Sequence, residues 1–220
     1  IPNEKTTIDF ELAASKNDLN TFSDISDNDN NGFAVRYALD QQVFKSNKWD
    51  IKINSDLDYV QKDFRNLEGL YNPEFNRDWN LEQPSSNQIA SDFGNQLFMT
   101  ARVSLNNTDL RQINYQYQHL NFLKEFNGNR HILNSNIRFK NLEFRTNSSI
   151  LNTNGTRSKS TFFRSFSQLK YDLGTVWPGV KFSTEQNKIS QLPSEDLDIQ
   201  SQKFSAYEGF LGIGDSTAIW

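Results

Sequence analysis

Asp27, Asp29 and Asn31 stand at alternate positions of the run Asp27-Asn28-Asp29-Asn30-Asn31-Gly32. This is how a calcium-binding loop begins: side-chain oxygens at its first, third and fifth positions surround the ion, and Gly permits the sharp turn. The pattern goes no further, because Ala38 stands where the closing bidentate Glu belongs. The flanks alternate like strands, so the competing reading is a polar loop tip. Calcium held by Asp27, Asp29 and Asn31 is the one cofactor the sequence offers; otherwise none is expected.

The remaining reactive side chains lack partners at useful spacing. Glu195, Asp196 and Asp198 form an acidic loop segment that could meet a divalent cation or a basic partner, against the plainer reading of a solvated loop. His119 and His131 are the two histidines, and neither stands at a metal-ligand spacing. Gly212-Ile213-Gly214-Asp215-Ser216 reads as a β-turn: a phosphate loop needs a helix after it, a Ser nucleophile of this order needs a later His, and no His follows position 131. There is no Cys, which removes disulfides, thiolate nucleophiles and zinc-thiolate sites. The expectation is a protein that is not an enzyme.

The elements that must carry these residues are strands. In Trp49-Asp50-Ile51-Lys52-Ile53-Asn54-Ser55-Asp56-Leu57-Asp58-Tyr59 the odd positions are apolar apart from Ser55 and the even ones are polar. A helix would not segregate side chains with period two. The same alternation runs through Phe33 to Leu39, Leu97 to Leu105 and Ile113 to Tyr117, and less cleanly through Ile8 to Ala14, Leu133 to Phe139, Leu142 to Ile150, Thr161 to Leu173, Val180 to Thr184 and Lys203 to Ile213. Lys52, Arg102, Arg138, Lys170 and Lys181 fall on the polar side, whereas Ser55, Ser135, Ser165 and Ser167 interrupt the apolar one.

Turn-like joins at 45–48, 106–109, 140–141, 174–179 and 214–217 alternate with longer polar stretches at 18–31, 62–96, 123–130, 152–159 and 186–202. An up-and-down meander would then put short turns at one end and long loops at the other. Phe44, Trp49, Phe139, Trp177 and Trp220 lie beside the short joins, as in an interfacial aromatic girdle, although such residues favour strands in any sheet. The longest stretch, 62–96, holds Tyr71, Phe75 and Trp79, too apolar for a solvated tether. It is expected to be ordered and to pack on a barrel mouth, on a neighbouring subunit or on itself, or to offer its aromatics as a contact surface.

With 220 residues, one large β domain spanning 1–220 is expected, and aromatics at 13% exclude a disordered chain. A net charge of -4 gives no basic footprint for nucleic acid. No apolar run approaches the roughly 20 residues of a membrane helix, so any bilayer must be met by strands. The beginning Ile1-Pro2-Asn3-Glu4-Lys5 lacks the charge and apolar core of an export signal, as expected of a mature chain, a cytoplasmic protein or an excised fragment, and Ser216 to Trp220 looks like a strand starting, which adds weight to a fragment of a larger barrel.

The Asn-rich, Cys-free, aromatic-rich style, with phrases such as Asn76-Arg77-Asp78-Trp79-Asn80-Leu81 and Leu169-Lys170-Tyr171-Asp172-Leu173-Gly174, resembles the large outer-membrane and cell-surface β proteins of Bacteroidota. The resemblance covers most of the chain, carries over no catalytic residue, and implies an antiparallel barrel or part of one within a surface assembly. The expected fold is all-β, an antiparallel up-and-down meander of roughly 10–12 strands forming a transmembrane-type β-barrel or a segment of one. The expected role is passage, anchoring or scaffolding in the outer membrane or at the cell surface of a Gram-negative bacterium, with lipid and other subunits of a surface complex as partners. The alternative is a soluble extracellular β-sheet adhesin or carbohydrate-binding module, with Tyr71, Phe75 and Trp79 stacking on sugar rings.

Overall fold

The computed structural model describes residues 4–17, 31–65, 75–81, 94–108, 111–123 and 125–214. Ten strands account for most of them: β1 (Thr6–Lys16), β2 (Asn31–Lys45), β3 (Trp49–Val60), β4 (Gln96–Asn107), β5 (Arg111–Phe122), β6 (Phe126–Phe139), β7 (Leu142–Gly155), β8 (Ser158–Tyr171), β9 (Val176–Gln191) and β10 (Gln202–Ile213). One short helix, α1 (Phe75–Asp78), lies between β3 and β4. The strands follow one another in a single antiparallel sheet, β1 to β10 in chain order, so the expected meander is what the chain forms. Among the described residues β1 and β10 each have one neighbour, and the sheet is open.

The strands run from 11 to 16 residues, far beyond the roughly 5–6 usual in globular sheets. Two of the expected long connections are tight turns. β5 continues to Phe122 and β6 starts at Phe126, with the Glu125 N–H donating to the Phe122 carbonyl at 2.8 Å. β7 likewise reaches Gly155 and β8 starts at Ser158. The polar runs 123–130 and 152–159 are therefore mostly strand. At that end of the sheet the connections at 17–30, 61–95 and 192–201 remain long; every connection at the other end is short.

Cross-strand partners share a face, so the register defines two sides. The row Ile51, Leu105, Ile113 and Ser135 belongs to the apolar side, the row Lys52, Ser104, Asn114 and Asn134 to the polar side. Burial is opposite to that of a water-soluble sheet. Leu120, Phe122, Leu151 and Phe162 are buried, as are Gln96, Thr100, Glu143, Thr153, Ser160 and Lys170, and all project from the polar side. Phe10, Leu12, Val103, Leu133, Phe144, Phe163, Leu169, Tyr207 and Leu211 are exposed on the apolar side. Among the described residues, α1 and its neighbours cover part of the polar side.

Candidate functional site

The apolar side carries a band set obliquely to the strands. In β1 it runs from Ile8 to Ala14, and Ile8 lies level with Leu39 and Ser55. In β10 it runs from Tyr207 to Ile213, and Tyr207 lies level with Phe182, Ser167, Thr146, Ser135, Ile113, Leu105 and Ile51. Between β1 and β10 the band thus slides by about 1.1 residues per strand, which at about 3.3 Å rise and 4.8 Å spacing corresponds to a strand tilt of about 37°. In β4, β6, β7 and β8 it spans Leu97–Leu105, His131–Phe139, Leu142–Ile150 and Phe163–Tyr171, about nine residues or, at that tilt, roughly 21 Å of height.

At the long-connection border the band ends in a polar network. The Tyr117 hydroxyl donates to Asn129 Oδ1 at 2.7 Å, His119 Nδ1 lies 2.9 Å from the same oxygen, and the Tyr115 hydroxyl bonds His131 Nδ1 at 2.7 Å. Both histidines are thus sheet residues tied to neighbours on their own face. Midway down β7 and β8 four hydroxyls close a ring: Thr146 to Ser148 at 3.0 Å, Ser148 to Ser165 at 2.8 Å, Ser165 to Ser167 at 3.5 Å and Ser167 to Thr146 at 2.9 Å. In such a ring each O–H can donate once and accept once, so no hydroxyl proton is left over.

Several cations of the polar side stand in ion pairs. Lys52 lies 3.7 Å from Asp50, Arg138 3.5 Å from Asp172, Lys170 2.8 Å from Glu143 and Lys181 2.7 Å from Glu208. Arg102 donates to Gln116 Oε1 at 3.1 Å. Glu143 also pairs with Arg145, so the buried Lys170–Glu143 pair belongs to a triad, the arrangement that makes buried charge tolerable.

Onto this side folds the segment Phe75–Leu81. The Trp79 N–H donates to the Phe75 carbonyl at 3.0 Å and the Leu81 N–H to the Asn76 carbonyl at 2.9 Å, closing a compact turn. Trp79 is 2% exposed and packs with Leu120, Phe122, Leu151 and Phe162, its ring edge-on to Phe98 at 5.8 Å. Gly128 makes the room: a Cβ there would lie 3.0 Å from the indole. Asn80, at φ 52°, donates to Ser160 Oγ at 2.8 Å and exchanges 3.2 Å bonds with Asn187. Asp78 lies 3.8 Å from Arg164.

No family model, curated protein or solved structure matches the chain.

The sequence-derived candidates are scattered. Asp27, Asp29 and Tyr71 lie outside the described residues, and Asn31 is the exposed first residue of β2, paired with Lys16. Trp79 is turned onto the sheet and offers no open ring for sugar stacking, while Phe75 is half-buried beside it, 6.2 Å from Phe98. Trp177 also departs from the expected girdle: it projects from the polar side, covering Gly212 opposite it with Lys170 over its ring at 5.5 Å. Trp49, Phe44 and Phe139 do stand on the apolar side at the short-turn end, and Trp220 lies outside the described residues. In the acidic loop Asp198 is locked by Gln191 and Gln200, and Glu195 lies 3.5 Å from Lys159. The roles of Asn80, Asp78 and Gly128 were hidden in the sequence, since each depends on a partner across the sheet.

Proposed function

We propose that the chain forms the wall, or a segment of the wall, of a β-barrel in the outer membrane of a Gram-negative bacterium. Its apolar side meets lipid and its polar side lines a lumen partly filled by Phe75–Leu81. The role is passage, anchoring or scaffolding within a surface assembly, without catalysis. The observation that carries this reading is which side is shielded: Gln96, Glu143 and Lys170 are buried on the polar side together with Leu120, Phe122, Leu151 and Phe162, whereas Phe, Leu and Val side chains of the apolar side stand open. Soluble monomers seldom expose contiguous apolar patches beyond about 300–600 Å², and this one extends across all ten strands. A tilt of about 37° and a band height of roughly 21 Å also suit membrane barrels, whose strands tilt about 35–45° around an apolar band about 25 Å tall.

The hydroxyl ring favours a second reading, in which the apolar side packs on another protein layer and the chain is a soluble extracellular sheet protein. Against it, the ring's donors are satisfied internally, as hydrocarbon demands.

Flotation separates the two. Refolded with phosphatidylethanolamine and phosphatidylglycerol vesicles, the full chain should rise with the lipid and resist alkaline extraction. A chain that remains monodisperse in buffer without detergent, and stays at the bottom of the gradient, overturns the membrane reading.

A further inference from the structure

At the long-connection end of the sheet a cavity of about 590 Å³ opens between three elements distant in the chain. Asn80 and Leu81 line it from the segment after α1, Arg157 from the β7–β8 turn with Ser158 at the start of β8, and Ile189 and Gln191 from the end of β9. Leu192, Asp198 and Gln200 close it from the connection that follows. Its volume falls within the range of small-molecule sites, roughly 300–1,000 Å³.

The wall is built by bonds that leave capacity for a ligand. Asp198 Oδ2 accepts from Gln191 Nε2 at 2.7 Å and its Oδ1 accepts the Gln200 backbone N–H at 2.8 Å, which leaves each carboxylate oxygen a second lone pair. The Leu192 N–H donates to the Arg157 carbonyl at 2.7 Å, joining the two connections. The Ser201 hydroxyl holds the Ile189 backbone at both its N–H and its carbonyl, at 3.0 and 3.1 Å. Asn80 is fixed by Ser160 and Asn187.

The chemistry of the lining selects the ligand. Arg157 and Asp198 offset one another in charge. Asn80, Ser158, Gln191 and Gln200 are neutral, and each carries both a donor and an acceptor. Leu81, Ile189 and Leu192 add apolar wall. Groups that donate and accept at once, interleaved with apolar surface, match a molecule whose hydroxyls do the same around C–H faces. We propose that this cavity binds a neutral carbohydrate of one or two rings. It stands on connections at one end of the sheet, so it holds whichever medium the apolar side meets.

The test is calorimetric titration of the purified full chain, in micelles or in buffer as its solubility dictates, with glucose, galactose, mannose, maltose, lactose and cellobiose, and with leucine and acetate for comparison. At least one sugar should bind saturably and more tightly than leucine or acetate. Asp198→Ala should weaken that binding about tenfold, the scale of one charge-assisted hydrogen bond. Gln191→Ala, which removes the bond orienting Asp198, should weaken it by a smaller factor, while both variants keep the β-sheet circular dichroism. Saturable binding by none of the six sugars, equal or tighter binding of leucine or acetate, or unchanged affinity in both variants overturns the assignment. Flotation with vesicles is read separately, so failure here leaves the membrane reading untouched.

Discussion

The indole of Trp79 occupies the space that a side chain on Gly128 would need, with the ring carbons 3.0 Å from where a Cβ would stand. Phe126 closes the same space from the other direction, at 2.9 Å. Gly128→Ala should therefore displace Trp79 and cost about 1–3 kcal/mol, the usual penalty of overpacking. A red shift of Trp emission and a lower unfolding midpoint would show it. The effect should shrink in a Trp79→Ala background, where the space is free.

Asn80 contributes both its side-chain bonds and a left-handed backbone. Asn80→Ala and Asn80→Gly lose the same bonds, but only Ala resists the positive φ. The Ala variant should be less stable than the Gly variant by about 1 kcal/mol. Denaturant midpoints of the two compared directly give the answer.

The Asp78–Arg164 pair, with both side chains about one-third exposed, should matter far less. Asp78→Asn should cost at most about 1 kcal/mol and lose its effect in high salt. Proteolysis of the Phe75–Leu81 segment, followed with and without salt, reads this out.

Much of the fold was legible because period-two alternation is a local property. Trp49 to Tyr59 announces both its strand and its apolar side without reference to any other residue. The misjudged connections share one cause. Asn129 and Asn152 lie on the apolar side where the oblique band has already ended, while the apolar residues at that end, Leu120, Phe122, Leu151 and Phe162, project from the opposite side, so the alternation changes sides there and the strand ends imitate loops. The slope of the band, the hydroxyl ring and the place of Trp79 depend on register, which pairs residues such as Ser148 with Ser165 across a turn and leaves no trace in a single strand's pattern. Of the candidate calcium loop, Asp27 and Asp29 lie outside the described residues and Asn31 pairs with Lys16.

In the hydroxyl ring, removing two bonded members together should cost less than the sum of removing each alone. Thr146→Val leaves Ser148 and Ser167 each with one ring partner, Ser165, in place of two, whereas Thr146→Val with Ser167→Ala removes both ends of the Thr146–Ser167 contact. The double variant should lose less than the sum of the singles by roughly 1 kcal/mol, since an unmatched polar group in an apolar setting carries the full desolvation cost. A double-mutant cycle of unfolding midpoints in the same detergent checks it.

The 192–201 connection should loosen in acid. The bond from Gln191 above all, and then that from the Gln200 backbone, hold the Asp198 carboxyl below its ordinary value. A carboxyl lowered by folding supports its loop fully above that ordinary value and loses the contribution as pH falls through the lowered one. Protection of the Gln200 amide, its intrinsic exchange rate over the observed one at the same pH, should fall on acidification in the wild type and be low at all pH values in Asp198→Ala.

The central claim concerns what the apolar side touches, and the chain's lack of Cys makes single-site spin labelling clean. Labels at Val103, Leu133 and Phe163 should be relaxed by oxygen and shielded from a water-soluble nickel chelate in vesicles, the signature of hydrocarbon, and labels at Asn114 and Asn134 should show the reverse preference. Labels at Val103, Leu133 and Phe163 that are reached by neither reagent, as inside a protein interface, or by the chelate, as in water, would contradict the account.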